Sequence, residues 1–356
     1  MLRRACSAVL VPALLILLVA SPAGARTNAY RVTNLVSDQP GEAAHTDANL
    51  VNAWGLVAGP MTPWWVADNE TNVSTLYDGA GNVIPLVVEV PGGPTGLVFN
   101  GGTGFVVTDS TNSGPALFLF ATQAGTIRGW SPAVPPPLSM QTEVGADRSG
   151  VDASYTGLAI ASTAAGDRLY AADFHNARVD VFDDHFGLVA TPGAFVDPRL
   201  PPGYAPFGIQ AIGDRIFVAF AKQDAEQEDE VAGRSLGFVD VFDTGGALLG
   251  RVATRGLLNA PWGLAMAPAG FGRFGGDVLV GNFGDGQINA YTERPDGTFR
   301  HAGRLQAPSG RPLAIDGLWA LEFGNDNAAG SADSLFFTAG PEEETHGLFG
   351  KIDPAA

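Results

Sequence analysis

The sequence predicts an all-β fold: a six-bladed β-propeller of four-stranded antiparallel blades, its ring closed by an N-terminal strand. Three observations carry this prediction. An opening motif, an aromatic or small residue followed by glycine and an aliphatic, recurs six times about every 50 residues, the period of a propeller blade. Each copy is followed by short runs rich in Val, Phe and Tyr and bounded by Gly, Asn or Asp, the signature of strands and turns. The chain also holds 47 glycines and 25 prolines, and no segment after Ala25 keeps a 3.6-residue apolar period for three turns, so helices are at most incidental.

The elements follow in order. Residues 1–25 read as a secretory signal: Arg3 and Arg4 precede an apolar run from Val9 to Ala20, and Ala23-Gly24-Ala25 offers a small-residue cleavage site. The run is too short to span a bilayer as a helix. Residues 26–356 are then one propeller domain, exported to the periplasm or the extracellular space, with no membrane insertion after cleavage. Cys6 is the single cysteine, so the mature chain has no disulfide and no thiolate chemistry.

The openings are "AWGLV" (Gly55), "PTGLV" (Gly96), "YTGLAI" (Gly157), "PFGIQ" (Gly208), "PWGLA" (Gly263) and "IDGLWAL" (Gly317). Second strands are expected at 64–68, 104–109, 168–173, 215–220, 277–282 and 334–339, followed by third strands such as "VSTLYD", "VDVFD" and "FVDVFD". The sixth unit ends one strand short. "YRVTNLV" (30–36) is the spare that completes it and removes the exposed sheet edges.

In an up-and-down blade, the turn between the second and third strands lies on the same face as the start of the first. That upper face gathers Asp68, Asn69, Glu70, Asp109, Asn112, Asp173, His175, Lys222, Asp224, Asn282, Asp285, Glu342, Glu343, Glu344 and His346, joined by Asn52, Trp54, Trp262 and Asp316 from the blade openings. The candidate ligand-binding set is Asp173, His175, Lys222, Asp224, Asn282, Asp285, Asp316, His346, Trp54 and Trp262; catalytic and metal-binding residues are not assigned. Turn chemistry alone favours Asp and Asn, and the aromatics also suit packing at a channel mouth. Imidazole is no turn former, so His175 and His346 weigh more. Blade 4 adds a long acidic insertion, "AKQDAEQEDEVAGRSL", whose carboxylates suit a lid or a divalent cation such as Ca2+.

Two sharper motifs fail on context. "GRSLG" (233–237) matches a hydrolase nucleophile elbow at Ser235 but leads into a strand instead of a helix. "GFGRFG" (270–275) joins two strands on the lower face and opens no helix. A net charge of −17 with only Lys222 and Lys351 as lysines repels phosphate backbones, which excludes nucleic acid as a partner.

The segments "NAWGL" (52–56), "WVADN" (65–69), "LYAADFHN" (169–176), "GYAPFGIQ" (203–210), "PWGLAMAPAGFG" (261–272), "GNFGDG" (281–286), "DGLWAL" (316–321) and "HGLFG" (346–350) resemble an uncharacterised family of exported bacterial six-bladed β-propeller proteins related to NHL repeats. The resemblance implies fold and export and brings no established activity. The expected function is therefore binding of a small molecule, peptide or glycan at one mouth of the channel by a monomer. The alternatives are a metal-dependent hydrolase similar to the six-bladed lactonases, or a structural or assembly protein of the cell envelope; whether the protein is an enzyme is left open.

Overall fold

Six four-stranded antiparallel sheets stand around one axis in a computed structural model that describes residues 27–355. The signal assigned to residues 1–25, with Cys6, lies outside the described residues. The innermost strands are Ala53–Val57, Pro94–Phe99, Tyr155–Thr163, Tyr204–Ile212, Pro261–Met266 and Leu318–Phe323 for blades 1 to 6. Among the described residues, regular helix is confined to two 3-10 turns, Ser149–Val151 and Gly272–Phe274. Among the described residues, no helix is long and apolar enough to cross a membrane.

The ring closes as the sequence suggests. Tyr30–Ser37 pairs antiparallel with Leu348–Pro354, the third strand of blade 6, from Tyr30 opposite Pro354 to Ser37 opposite Leu348. A short strand, His45–Thr46, adds parallel to its outer edge. Tyr30 is fully buried, and its hydroxyl donates to the Phe271 carbonyl and accepts from the Phe274 N–H, both at 3.3 Å. Blade 6 is thereby latched to blade 5 through the "GFGRFG" turn.

The recurrent glycine is explained by crowding at the axis. A β-carbon on Gly55 would lie 2.2 Å from the Thr95 carbonyl oxygen, and one on Gly208 would lie 2.1 Å from that of Trp262. Gly96 and Gly263 are as tight, at 2.3 Å from Leu158 N and 2.5 Å from Trp319 O. Each inner strand also breaks register with its second strand near this point, as between Pro206 and Gly208 or between Leu318 and Leu321, a bulge that turns the backbone inward. Hydroxyls then stitch blade to blade. Thr95 Oγ1 donates to Tyr155 O (2.7 Å), Thr156 Oγ1 to Phe207 O (2.8 Å), and Thr338 Oγ1 to Trp54 O (2.6 Å).

Two expectations are corrected. In blade 6 the repeated position is Ala320, between Trp319 and Leu321, and not Gly317, which precedes the strand and turns with φ +61° against Gly340. In blade 2 the second strand is Phe118–Thr122 instead of 104–109. Val106–Thr108 and Ser113–Pro115 form a separate hairpin, anchored where Phe105 N–H donates to Asp184 O in the lower turn of blade 3. Asp109 and Asn112 therefore close that hairpin, and Gln123 takes the upper-face turn.

Candidate functional site

The axis is filled in layers. Lowest is an aliphatic ring, one residue per blade: Leu56, Leu97, Leu158, Ile209, Leu264 and Leu321. Above the glycines sits an aromatic plug of Trp54, Phe174, Phe207, Trp262, Phe283 and Trp319. Trp319 is fully buried, with Trp54 stacked on it at 3.8 Å and Phe283 at 4.1 Å between ring centroids. Aromatics at these distances pack as a core does, so the channel is shut at this level.

Over the plug lies a network of amides. Trp319 Nε1 donates to Asn52 Oδ1 (2.9 Å), and Asn52 Nδ2 donates to Glu344 Oε2 (2.6 Å) and Asn69 Oδ1 (3.4 Å). Asn69 Nδ2 continues to Gln123 Oε1 (2.9 Å). On the far side Gln223 Nε2 donates to Phe174 O (2.7 Å) and His175 O (3.2 Å).

Acids crowd this surface. Glu344 ends a turn in which Glu342, Glu343 and Glu344 all have left-handed backbone, φ 56°, 55° and 67°. Left-handed conformation costs a non-glycine residue roughly 1–2 kcal/mol, and runs of it are rare. The turn is held by Glu342 N–H donating to Asp316 Oδ2 (2.9 Å) and Thr345 Oγ1 donating to Glu342 O (2.6 Å). Burial pushes the Glu344 carboxyl up, and Asp229 and Glu70 push the same way against the pull of Asn52. Glu230, in the blade 4 insertion, is pushed up to about 8 by burial and by the charges of Glu344, Asp229 and Asp224. The insertion therefore lies across the mouth from blade 4 towards blade 6. On its other flank Glu228 and Asp229 join His175, Gln123 and Asp152 around a groove of about 440 Å³.

The ten expected residues divide accordingly. His175 is half-buried and lines the groove. Lys222 is exposed at the end of a second strand. Asp224 caps its own loop, accepting from Glu228 N–H at 3.0 Å and Asp229 N–H at 3.4 Å. Asp173 is fully buried against Arg178 (3.1 Å) and Asn176 (2.9 Å), its carboxyl pushed up by burial. Asn282 donates to Leu257 O (2.8 Å) and Asp285 Oδ1 (3.0 Å), so these two build their turn. Asp316 supports the glutamate turn. Trp54 belongs to the plug, as does Trp262, whose Nε1 donates to Thr156 O (2.9 Å).

His346 shares the upper face with His175 but belongs to ring closure. Its Nδ1 lies 2.7 Å from Asp38 Oδ2, just beyond the closing strand, and that bond holds the imidazole above its usual range. The two histidines do not meet; blades 3 and 6 stand opposite one another in a six-membered ring. Gln123 was missed because blade 2 was misaligned. Glu230 and Glu344 had a signal, acidic runs in upper-face turns, that could have promoted them.

No family model matches the chain. Uncharacterized protein R648 of Acanthamoeba polyphaga mimivirus is 33% identical over 337 residues, spanning 91% of this chain and 80% of that protein. Uncharacterized protein L690 of the same virus is 34% identical over 338 residues, spanning 91% and 85%. Among solved structures, a glucose dehydrogenase covers 92% of this chain and 100% of its own with a TM-score of 0.54 at 12% identity. At that identity the likeness is one of fold. These two sequence relatives are viral proteins and not bacterial ones. The chain belongs to the family of six-bladed propellers that includes these mimivirus proteins.

Proposed function

We propose that the protein is exported and works by binding, taking at its upper mouth a ligand that carries positive charge. The observation that supports this reading is Glu344. Three consecutive left-handed residues deliver its carboxyl to the axial network, beside Glu70, Asp229 and Glu230. Folding gains nothing from gathering like charges on a strained turn, and strain of this kind collects at ligand sites. The plug beneath makes the mouth a shallow bowl. A cationic group, whether a divalent ion bridging a glycan or the ammonium of a small molecule or peptide, would neutralise the acids.

The test is thermal unfolding with Ca2+ and, separately, with a lysine-rich peptide. Binding to the native state stabilises by RT ln(1 + [L]/Kd). The expected result is a saturable rise in midpoint with one of these probes, lost in Glu344→Gln. Midpoints that respond to neither probe, or respond equally in the variant, reject the reading. Hydrolase chemistry has less support. The one trio of carboxylate and imidazole donors within 4.8 Å of one another among the described residues, Asp183, Asp184 and His185, is a lower-face turn with His185 largely exposed.

A further inference from the structure

The opposite mouth holds polar groups that the upper bowl does not use. One position beyond the aliphatic ring, the inner strands of blades 1, 2, 3 and 5 carry Val57, Val98, Ala159 and Ala265. Blades 4 and 6 place Gln210 and Glu322 there, and Gln210 Nε2 donates to Glu322 Oε2 at 3.1 Å. The Phe323 backbone N–H also reaches this carboxylate, and no opposite charge does. Both side chains border a small cavity of about 30 Å³ under the plug, room for about one water. Both also form the floor of a funnel of about 260 Å³, walled by Leu56, Leu97, Phe99 and Ile160.

Glu322 is the only ionisable group among the residues lining either space. A carboxyl set among aliphatic walls without a counter-charge is costly, and four blades show that Val or Ala fills the position. Apolar walls converging on one or two polar groups are the usual form of a small-molecule site. At about 260 Å³ the funnel suits a short ligand. The charge selects its head: Glu322 and a chain of net charge −17 repel carboxylates, and an alcohol offers one neutral hydrogen bond, whereas an ammonium supplies the missing counter-charge.

We infer that the lower mouth is a second binding site, specific for a short apolar ligand bearing a protonated amine, with Glu322 holding the ammonium and Gln210 fixing the carboxylate. This site is independent of the acidic bowl, because the aromatic plug separates them.

The probe is n-hexylammonium, compared by calorimetry with 1-hexanol and hexanoate. The expected result is saturable one-to-one binding of hexylammonium, at least tenfold tighter than hexanol, with no binding of hexanoate. Glu322→Gln, close to isosteric, should abolish that discrimination. Ala58→Phe, narrowing the rim, should weaken hexylammonium at least tenfold, and Glu344→Gln in the upper bowl should leave it unchanged. Absence of saturable binding, equal affinity for hexanol, undiminished binding in Glu322→Gln or Ala58→Phe, or loss of binding in Glu344→Gln would each overturn the inference.

Discussion

Asn52 holds Glu344 at 2.6 Å through its amide nitrogen while its oxygen accepts from Trp319 at 2.9 Å. One fully buried side chain thus joins the first blade, the last blade and the plug. Gly340 leaves the space for it, since a β-carbon there would meet Asn52 Oδ1 at 2.3 Å. Asn52 itself has φ 47°, a conformation asparagine tolerates better than alanine. Asn52→Ala should therefore lose about 2–4 kcal/mol, from stranded partners and backbone strain together. Denaturant unfolding would measure it, and a loss under about 0.5 kcal/mol would show that the network is incidental.

Closure by Tyr30–Ser37 makes its own prediction. Removing residues 26–38 strips the fourth strand from blade 6, leaving Leu348–Pro354 as an open edge and Gly272–Phe274 without the Tyr30 latch. The expected cost is on the order of 5 kcal/mol, much of the stability of an ordinary domain. An unchanged unfolding midpoint would refute the closing role.

The glycine ring predicts a contrast between two identical substitutions. Gly208→Ala drives a methyl into the Trp262 backbone and should cost about 1–3 kcal/mol. Gly150→Ala meets nothing within 4 Å and should be near neutral. Equal midpoints for the two variants would remove crowding as the reason for the repeat.

Glu322 gives a pH signature. Burial holds its folded value at about 7 against about 4.3 for an unperturbed glutamate. Across that window the native state binds more protons than the unfolded chain, so this residue makes stability fall as pH rises from about 4.3 to 7 and level off above. Glu230, pushed up to about 8, acts with the same sign. Glu322→Gln should match the parent near pH 4 and exceed it at pH 8, by on the order of 3 kcal/mol. A difference that does not grow with pH would show that the carboxyl is not desolvated.

Ser235 should be dispensable. Its hydroxyl donates to Gly256 O at 3.2 Å in an irregular loop, with no helix behind it. Ser235→Ala should keep the parent's midpoint and its response to cations; loss of either would give the residue a role that its position does not suggest.

Most of the architecture was legible because each blade repeats the same local demands: a crowded glycine, a buried second strand and a polar turn. Legibility failed where a local pattern had two possible partners. "GFVVTD" has the composition of a strand and is one, but nothing in its six residues says that it pairs with Ser113–Pro115 and not with the inner strand. At Gly317 a glycine-leucine pair imitates the motif three residues early, while Ala320 fills the real position with the smallest β-carbon available. The site was legible as a face and not as a constellation. Asp173, Asn282 and Asp285 read as ligands but spend their hydrogen bonds on turns. Glu344 matters through three successive backbone angles, and Glu322 through neighbours contributed by distant blades; neither is written in adjacent residues.

The pairing of Tyr30–Ser37 with Leu348–Pro354 also sets a clock. During synthesis the closing strand emerges before the six blades and its partner after five of them, so several blades can assemble while the ring stands open. In that interval the inner strands of the first and sixth blades lack each other, and a strand rich in Val, Leu and Tyr waits unpaired. Closure is the contact of longest sequence separation, the kind that forms slowly, and an unpaired strand is the species most exposed to aggregation. The moment of greatest danger for this chain falls after nearly all of it has folded, and it ends in a single joining step.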